Sequence, residues 1–167
     1  MEGVTDNRVT IRRAVESDEP ALLDIELTAW DASSGFPSMT EGERAGFFSD
    51  RSGPDAHLVA VLDDRVVGYI RLQDKYRFRE GAGVLAVNGL AVAVDARGHG
   101  IGSALLTAVT EEAERRGARK ITLHVHSSNT VARRLYERHG YQVEGTHPRE
   151  FLIDGEEVDS LTLAKFL

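Results

Sequence analysis

The chain has 167 residues, of which 41% are apolar and 28% are charged, a composition typical of one folded globular domain over residues 1–167. It contains no cysteine, which excludes disulfide bonds, thiolate metal sites and a thiol nucleophile. The formal net charge of −7 is opposite in sign to that of a general nucleic-acid binder, so no nucleic-acid partner is expected.

Neither export nor membrane insertion is indicated. Residues 1–8 lack the apolar core of a signal peptide. The most apolar stretch, residues 84–94, is too short to span a bilayer. We therefore expect a cytoplasmic protein with no membrane partner.

The N-terminal part of the chain predicts a strand, two helices and a hairpin. Alternation of apolar and polar residues marks strands, and Ser17 or Asp18 is a suitable helix cap. The predicted elements are a strand at 9–12, a helix from 17 or 18 to about 30, a loop at 31–39, a short helix at 41–49, and strands at 57–62 and 66–72. Asp63-Asp64-Arg65 separates the last two as a tight hairpin turn.

The rest of the chain alternates strands and helices before a final hairpin. The predicted elements are a strand at 83–94, a helix from 101 that Gly117 ends, a strand at 121–126, a helix at 129–139 that Gly140 ends, and strands at 141–149 and 158–166. The order β-α-α-β-β-β-α-β-α-β-β predicts an α/β (α+β) fold, with a mixed, mostly antiparallel sheet and helices on both faces.

The most specific local pattern is the glycine turn Arg97-Gly98-His99-Gly100-Ile101-Gly102, between a buried strand and an amphipathic helix. Glycines at alternate positions let the backbone turn sharply, and the helix that follows adds unpaired N–H groups and a positive dipole end. Together they predict a phosphate or pyrophosphate site. Ser103 breaks the dinucleotide-binding fingerprint, and no lysine completes a P-loop.

Two motifs in the same order resemble those of one enzyme family. The glycine turn fits R/Q-x-x-G-x-G/A. About thirty residues further on, the pattern L-x-V-x-x-x-N-x-x-A-x-x-L-Y-x-x-x-G-[FY] is filled by Leu123, Val125, Asn129, Ala132, Leu135, Tyr136, Gly140 and Tyr141. From about Gly83 to Tyr141, the chain resembles the GNAT superfamily of N-acetyltransferases.

The resemblance implies acetyl-coenzyme A (acetyl-CoA) as co-substrate and a set of residues that bind it. Backbone N–H groups at 98–103 would hold the pyrophosphate, the main chain of Val92 and Val94 would pair with the pantetheine arm, and Asn129 would bond to that arm. The implied cofactor-binding residues are Val92, Val94, Arg97, Gly98, His99, Gly100, Ile101, Gly102, Ser103, Asn129 and Ala132.

Direct attack of an amine on a thioester needs no covalent intermediate, which agrees with the absence of cysteine. The resemblance places Tyr136 near the sulfur, and a phenol can protonate a departing thiolate. The general base stays open among Glu26, Asp31, His126 and water, because residues 84–94 contain no ionisable side chain. His124 and His126 share a strand face, but without a third obvious ligand no metal site is expected.

The sequence leaves the acceptor and the assembly open. Trp30, Phe36, Phe47 and Phe48 either line an acceptor pocket or pack the helices on the sheet. The predicted function is acetyl transfer to a primary amine, of a small molecule or of a protein; the alternative is a coenzyme A-binding sensor without turnover. A homodimer is possible through pairing of the strand at 160–166 with its counterpart.

Overall fold

A computed structural model describes residues 8–31, 34–41 and 46–167. The helices are α1 (Glu19–Thr28), α2 (Ile101–Arg115) and α3 (Thr130–Arg138). The strands are β1 (Thr10–Arg13), β2 (His57–Leu62), β3 (Arg65–Asp74), β4 (Val84–Val92), β5 (Lys120–His126), β6 (Gln142–Ile153) and β7 (Glu156–Phe166). The α/β prediction is confirmed, with a mixed sheet between helices. No helix of the described chain is long and apolar enough to cross a membrane.

The second predicted helix and the end of the strand predicted at 83–94 differ from the structure. Residues 42–45 of the predicted helix at 41–49 lie outside the described residues, and its described end at 46–49 is not helical. The strand predicted to reach residue 94 ends at Val92, because Val94–Ala96 form a 3-10 turn closed by a bond from Ala96 N–H to Ala93 O.

The hairpin between β2 and β3 turns over two residues. Asp63 and Asp64 have φ values of 51° and 61°, the left-handed conformation that a tight two-residue hairpin requires. Arg65 therefore already belongs to β3 and pairs with Leu62.

The strand order is β1-β2-β3-β4-β5-β7-β6, and every neighbouring pair is antiparallel except β4 and β5. Strand β7 lies between β5 and β6, so residues 160–164 already have a partner on both sides. The expectation that this strand pairs across a dimer is therefore wrong. Strand β6 is the edge strand at this end of the sheet.

Apolar side chains cover both faces of the sheet. Helix α2 buries one stripe at helical spacing against the first face, consisting of Ile101, Leu105, Leu106, Val109 and Ala113. Tyr136 of α3 belongs to the same cluster, so α2 and α3 share that face. Helix α1 packs Leu22 and Ile25 on the other face, with Phe47 and Tyr69.

Candidate active site

The sheet opens between its two central strands. Strands β4 and β5 pair only along residues 84–87 and 120–123, and beyond that point each continues without pairing to the other. The register of β4 against β3 shifts at Asn88, because Arg71 pairs with Gly89 whereas Leu72 pairs with Val87. A one-residue bulge of this kind bends a strand. One backbone edge of residues 88–92 therefore faces a gap in the sheet.

A cleft of about 1400 Å³ occupies this gap and reaches both faces of the sheet. On the α2–α3 face it is lined by the glycine turn and by Asn129, Ala132 and Tyr136. On the α1 face it is lined by side chains from α1, from strands of the sheet and from the segment after α1, among them Glu26, Phe36, Arg71, His126 and Phe151. The two sets of residues meet along the unpaired edge of β4.

The glycine turn has the geometry of an anion site. Gly98 and Gly100 have φ values of 86° and 72°, and Gly100 is the N-cap of α2. The first backbone bond of the helix is from Ala104 N–H to Gly100 O, which leaves the N–H groups of residues 101–103 without helical partners. A Cβ on Gly102 would lie 3.1 Å from Leu135 Cδ2, so glycine permits the close approach of α2 to α3.

Arg97 joins the glycine turn to α1. Its guanidinium donates to the carbonyl oxygen of Ala29, the C-cap residue of α1, at 2.8 Å. The cleft is also lined by Arg97, by Val92 and by the predicted turn residues Gly98, Gly100, Ile101, Gly102 and Ser103. His99 does not line it and is half-buried. Val94 does not line the cleft either; it lies on the 3-10 turn after β4 with 56% of its surface exposed.

Ser103 and His139 join α2 and α3 on the α2–α3 face. The hydroxyl of Ser103, in the first turn of α2, lies 2.8 Å from His139 Nε2 at the end of α3. Both residues line the cleft. The bond fixes the distance between the anion site and α3.

Asn129 is the N-cap of α3, and its Oδ1 accepts a hydrogen bond from Ala132 N–H at 3.2 Å. Its amide N–H groups bond to none of the described residues and remain available at the cleft. Asn129 therefore caps α3 with its side-chain oxygen and presents its amide N–H donors to the cleft.

Tyr136 lies at the bottom of the cleft, 8% exposed, with its ring edge-on to Tyr141 at a centroid distance of 5.9 Å. Burial raises the pKa of Tyr136 to about 12, because the charged phenolate would lose its hydration. The phenol is therefore protonated at neutral pH.

All three predicted base candidates line the same cleft on the α1 face. Glu26 accepts a hydrogen bond from the Tyr69 hydroxyl, and Asp31 is exposed. His126 is 7% exposed, and its Nδ1 has no hydrogen-bond partner among the described residues. Burial lowers the pKa of His126, which favours the neutral ring.

The aromatic residues divide between the two roles that the sequence left open. Trp30 and Phe36 line the cleft. Phe36 lies across it, with its ring 4.7 Å from that of Phe151 and 5.0 Å from that of His126. Phe47 and Phe48 instead pack beneath the α1 face, against the ring of His57.

Arg71 lines the cleft and is among the residues there that the sequence did not predict. It is half-buried on β3, and its Nε donates to His57 Nε2 at 2.9 Å. His57 Nδ1 lies 2.8 Å from Gly53 O, and burial lowers the pKa of His57 to about 4. The available signal was the single charge between the apolar residues Ile70 and Leu72.

His124 lies on the same strand as His126 but contacts a different partner. Its Nδ1 lies 3.2 Å from Thr162 Oγ1, and among the described residues no three His, Cys, Asp or Glu side chains cluster as metal ligands would.

Comparison with known proteins agrees with these features. The model of the acetyltransferase (GNAT) family matches residues 20–141. L-amino acid N-acetyltransferase AaaT of Escherichia coli is 31% identical over 120 residues, which are 70% of this chain and 71% of that protein. The solved GCN5-related N-acetyltransferase of Kribbella flavida is 27% identical, with a TM-score of 0.78 over 96% of this chain and 98% of that one.

A second solved structure, yncA of Salmonella typhimurium with its cofactor acetyl-CoA, shares the fold with a TM-score of 0.75. It is 22% identical to this protein, over 96% of this chain and 95% of that one. As the two sequence motifs predicted, the chain belongs to the acetyltransferase (GNAT) family and is an acyltransferase.

Proposed function

We propose that this protein transfers the acetyl group of acetyl-CoA to a primary amine, by direct attack within a ternary complex. The observation that carries the proposal is the gap between β4 and β5, which joins an anion site on one face of the sheet to a cleft on the other. Donor and acceptor reach the same backbone edge from opposite faces. The acetyl-CoA in the yncA structure supports the choice of donor.

The residues of the donor face fit a long molecule with a diphosphate at one end. The N–H groups of residues 101–103, at the positive end of α2, hold the diphosphate. The unpaired edge of residues 88–92 bonds to the amide groups of an extended arm as an added strand would. The amide of Asn129 donates to the same arm. Acetyl-CoA supplies the acyl group, activated as a thioester.

Tyr136 acts as the general acid. Burial raises the pKa of Tyr136 to about 12, so the phenol holds its proton at neutral pH until it is needed. Oη gives this proton to the sulfur as the carbon–sulfur bond breaks, and a proton from solvent then restores the phenol. The role is supported by its position on α3, in the part of the cleft that Ala132 and Asn129 also line.

Glu26 acts as the general base on the acceptor face. An amine reaches the cleft mainly as an ammonium ion and must lose a proton before it attacks. Glu26 is held by Tyr69, whose strand neighbours the bulge of β4, so the carboxylate lies beside the edge where the acyl group is presented. Asp31 and His126 line the same cleft and are the alternatives that mutation must separate.

The test is the release of free thiol from acetyl-CoA when the protein is mixed with a panel of primary amines, including amino acids, polyamines and peptides. We expect release with at least one amine, and mass spectrometry of that amine shows the acetylated product. Tight coenzyme A binding by calorimetry, without thiol release across the panel, would instead support a sensor without turnover.

A further inference from the structure

We infer that the acceptor is a small α-amino acid with an apolar side chain, and that Arg71 binds its carboxylate. The inference rests on the proposed acetyl transfer and names the substrate class of the same cleft.

Arg71 is a cation without a counter-ion inside the cleft. It is half-buried and forms no ion pair with any residue that the structure describes, whereas Arg13, Arg65 and Arg149 each pair with a carboxylate. A partly desolvated guanidinium gains most from an anion that arrives with a ligand. Arg71 pairs with Gly89, next to the bulge, so that anion would lie close to the reacting centre.

His57 fixes the orientation of Arg71. A carbonyl oxygen can only accept, so His57 Nδ1 carries the proton that bonds to Gly53 O, and Nε2 accepts from Arg71 Nε. The ring of Phe47 lies 5.4 Å from Arg71 Cζ and supports the guanidinium from one side. The remaining N–H groups, on the two Nη atoms, form the planar fork that suits a carboxylate.

The charges beside Arg71 match the two ends of an α-amino acid. Tyr69 and Arg71 are two positions apart on one strand, so they lie on the same face about 7 Å apart. The Tyr69 hydroxyl holds the carboxylate of Glu26. An acceptor that places its ammonium group at Glu26 and its carboxylate at Arg71 satisfies both charges.

The aromatic side chains that close part of the α1 face restrict the size of the acceptor. Phe36, on the segment after α1, contacts Phe151 of β6 and His126 of β5 and so closes part of the α1 face. Phe36 and Met39 are exposed apolar side chains that line the cleft, and an apolar substrate side chain would cover them. A peptide N-terminus offers Arg71 no α-carboxylate, because its carbonyl carbon is bonded to the next residue.

The experiment compares acceptors that differ only in the carboxylate. The probes are L-methionine and L-leucine, their amides, and the amines 3-(methylthio)propylamine and isoamylamine. We expect thiol release by the wild type to favour each amino acid over its amide by at least about tenfold in kcat/KM, the range for charged hydrogen bonds. In Arg71→Met, kcat/KM for the amino acids falls by about 10- to 100-fold, while that for the amides changes less than about twofold.

Two further variants serve as controls. Arg71→Lys keeps the charge but loses the fork, and should retain an intermediate preference. Arg77→Met removes an exposed arginine of the β3–β4 connection, and should leave the preference unchanged. Thermal unfolding and coenzyme A affinity check that each variant is folded.

The outcomes separate the two levels of inference. If kcat/KM in Arg71→Met falls equally for amino acids and for amides, Arg71 has a structural role. If the wild type has a higher kcat/KM for the amides, a carboxylate subsite is excluded. Either result overturns the inference and leaves acetyl transfer standing. Absence of thiol release with every acceptor overturns both.

Discussion

The two sides of the cleft are built in different ways. The donor side uses mainly backbone: the N–H groups of residues 101–103 and the free edge of β4. The acceptor side uses side chains from separate elements, with Glu26 from α1, Arg71 from β3 and His126 from β5. A site built from backbone groups suits a ligand that many proteins share, since any sequence that allows the turn can form it. In a site built from side chains, each single substitution can alter which ligand is bound.

The largest effect is expected from a charge placed on the donor side. Gly102→Glu puts a carboxylate beside the N–H groups at the start of α2, and like charges should repel the diphosphate. Coenzyme A affinity measured by calorimetry should fall by about 100-fold or more. Gly102→Ala makes the same 3.1 Å contact with Leu135 without adding a charge. Its coenzyme A affinity should fall by less than about tenfold. Equal loss in both variants would show that packing, not charge, governs the site.

The next effect concerns the proton that Tyr136 donates to the departing sulfur. Tyr136→Phe should lower kcat by about 100-fold and leave coenzyme A affinity unchanged, because only the proton donor is removed. Burial holds the pKa of Tyr136 near 12, so the wild-type rate should not decline at about pH 10, where an ordinary tyrosine ionises.

The matched control is Tyr141→Phe, in the ring that packs against Tyr136. It removes a buried hydroxyl that has no hydrogen-bond partner among the described residues. Its kcat should stay within about twofold of the wild type. Wild-type turnover in Tyr136→Phe would refute the general-acid role and leave the donor site intact.

The acceptor side is tested by Glu26→Gln, which keeps a partner for Tyr69 but removes the base. We expect kcat/KM for the amine to fall by about 10- to 100-fold with unchanged coenzyme A affinity, and the remaining activity to rise with pH as free amine accumulates. Asp31→Asn and His126→Gln are measured alongside. If kcat/KM falls in Asp31→Asn or His126→Gln and not in Glu26→Gln, the residue changed in that variant is the general base.

The smallest effect is expected at Asn129, where the two functions of one side chain can be separated. Asn129→Asp keeps the oxygen that caps α3 but removes the amide donors, and should raise KM for acetyl-CoA about fivefold with little change in kcat. Asn129→Ala removes the cap too, and should also lower the free energy of unfolding by about 1 kcal/mol. A fall in kcat with unchanged KM in Asn129→Asp would assign a catalytic role instead.

The sequence was most informative where function depends on local backbone geometry. The glycine turn and Asn129 lie within short segments whose spacing is itself the signal, and the strands of the hairpin at 57–72 follow from two apolar runs on either side of a polar turn. Family membership followed from the same segments. The roles of the individual residues remain predictions.

The features that the sequence did not reveal depend on contacts between distant segments. The bond of Arg71 to His57 joins two strands across a hairpin, and that of Arg97 to Ala29 spans 68 positions. The bulge at Asn88 carries no glycine or proline signal at the bulged residue itself. The insertion of β7 between β5 and β6 is a matter of strand order, which apolar alternation does not encode.

The gap between β4 and β5 also has a consequence for self-association. Free strand edges at the rim of a sheet invite other chains to pair with them and aggregate. Here the free edge of residues 88–92 faces the interior of the molecule, with helices packed on both faces of the sheet. The N–H and C=O groups of this edge therefore lie along the cleft and not at the rim of the sheet, where edge-to-edge pairing between chains begins.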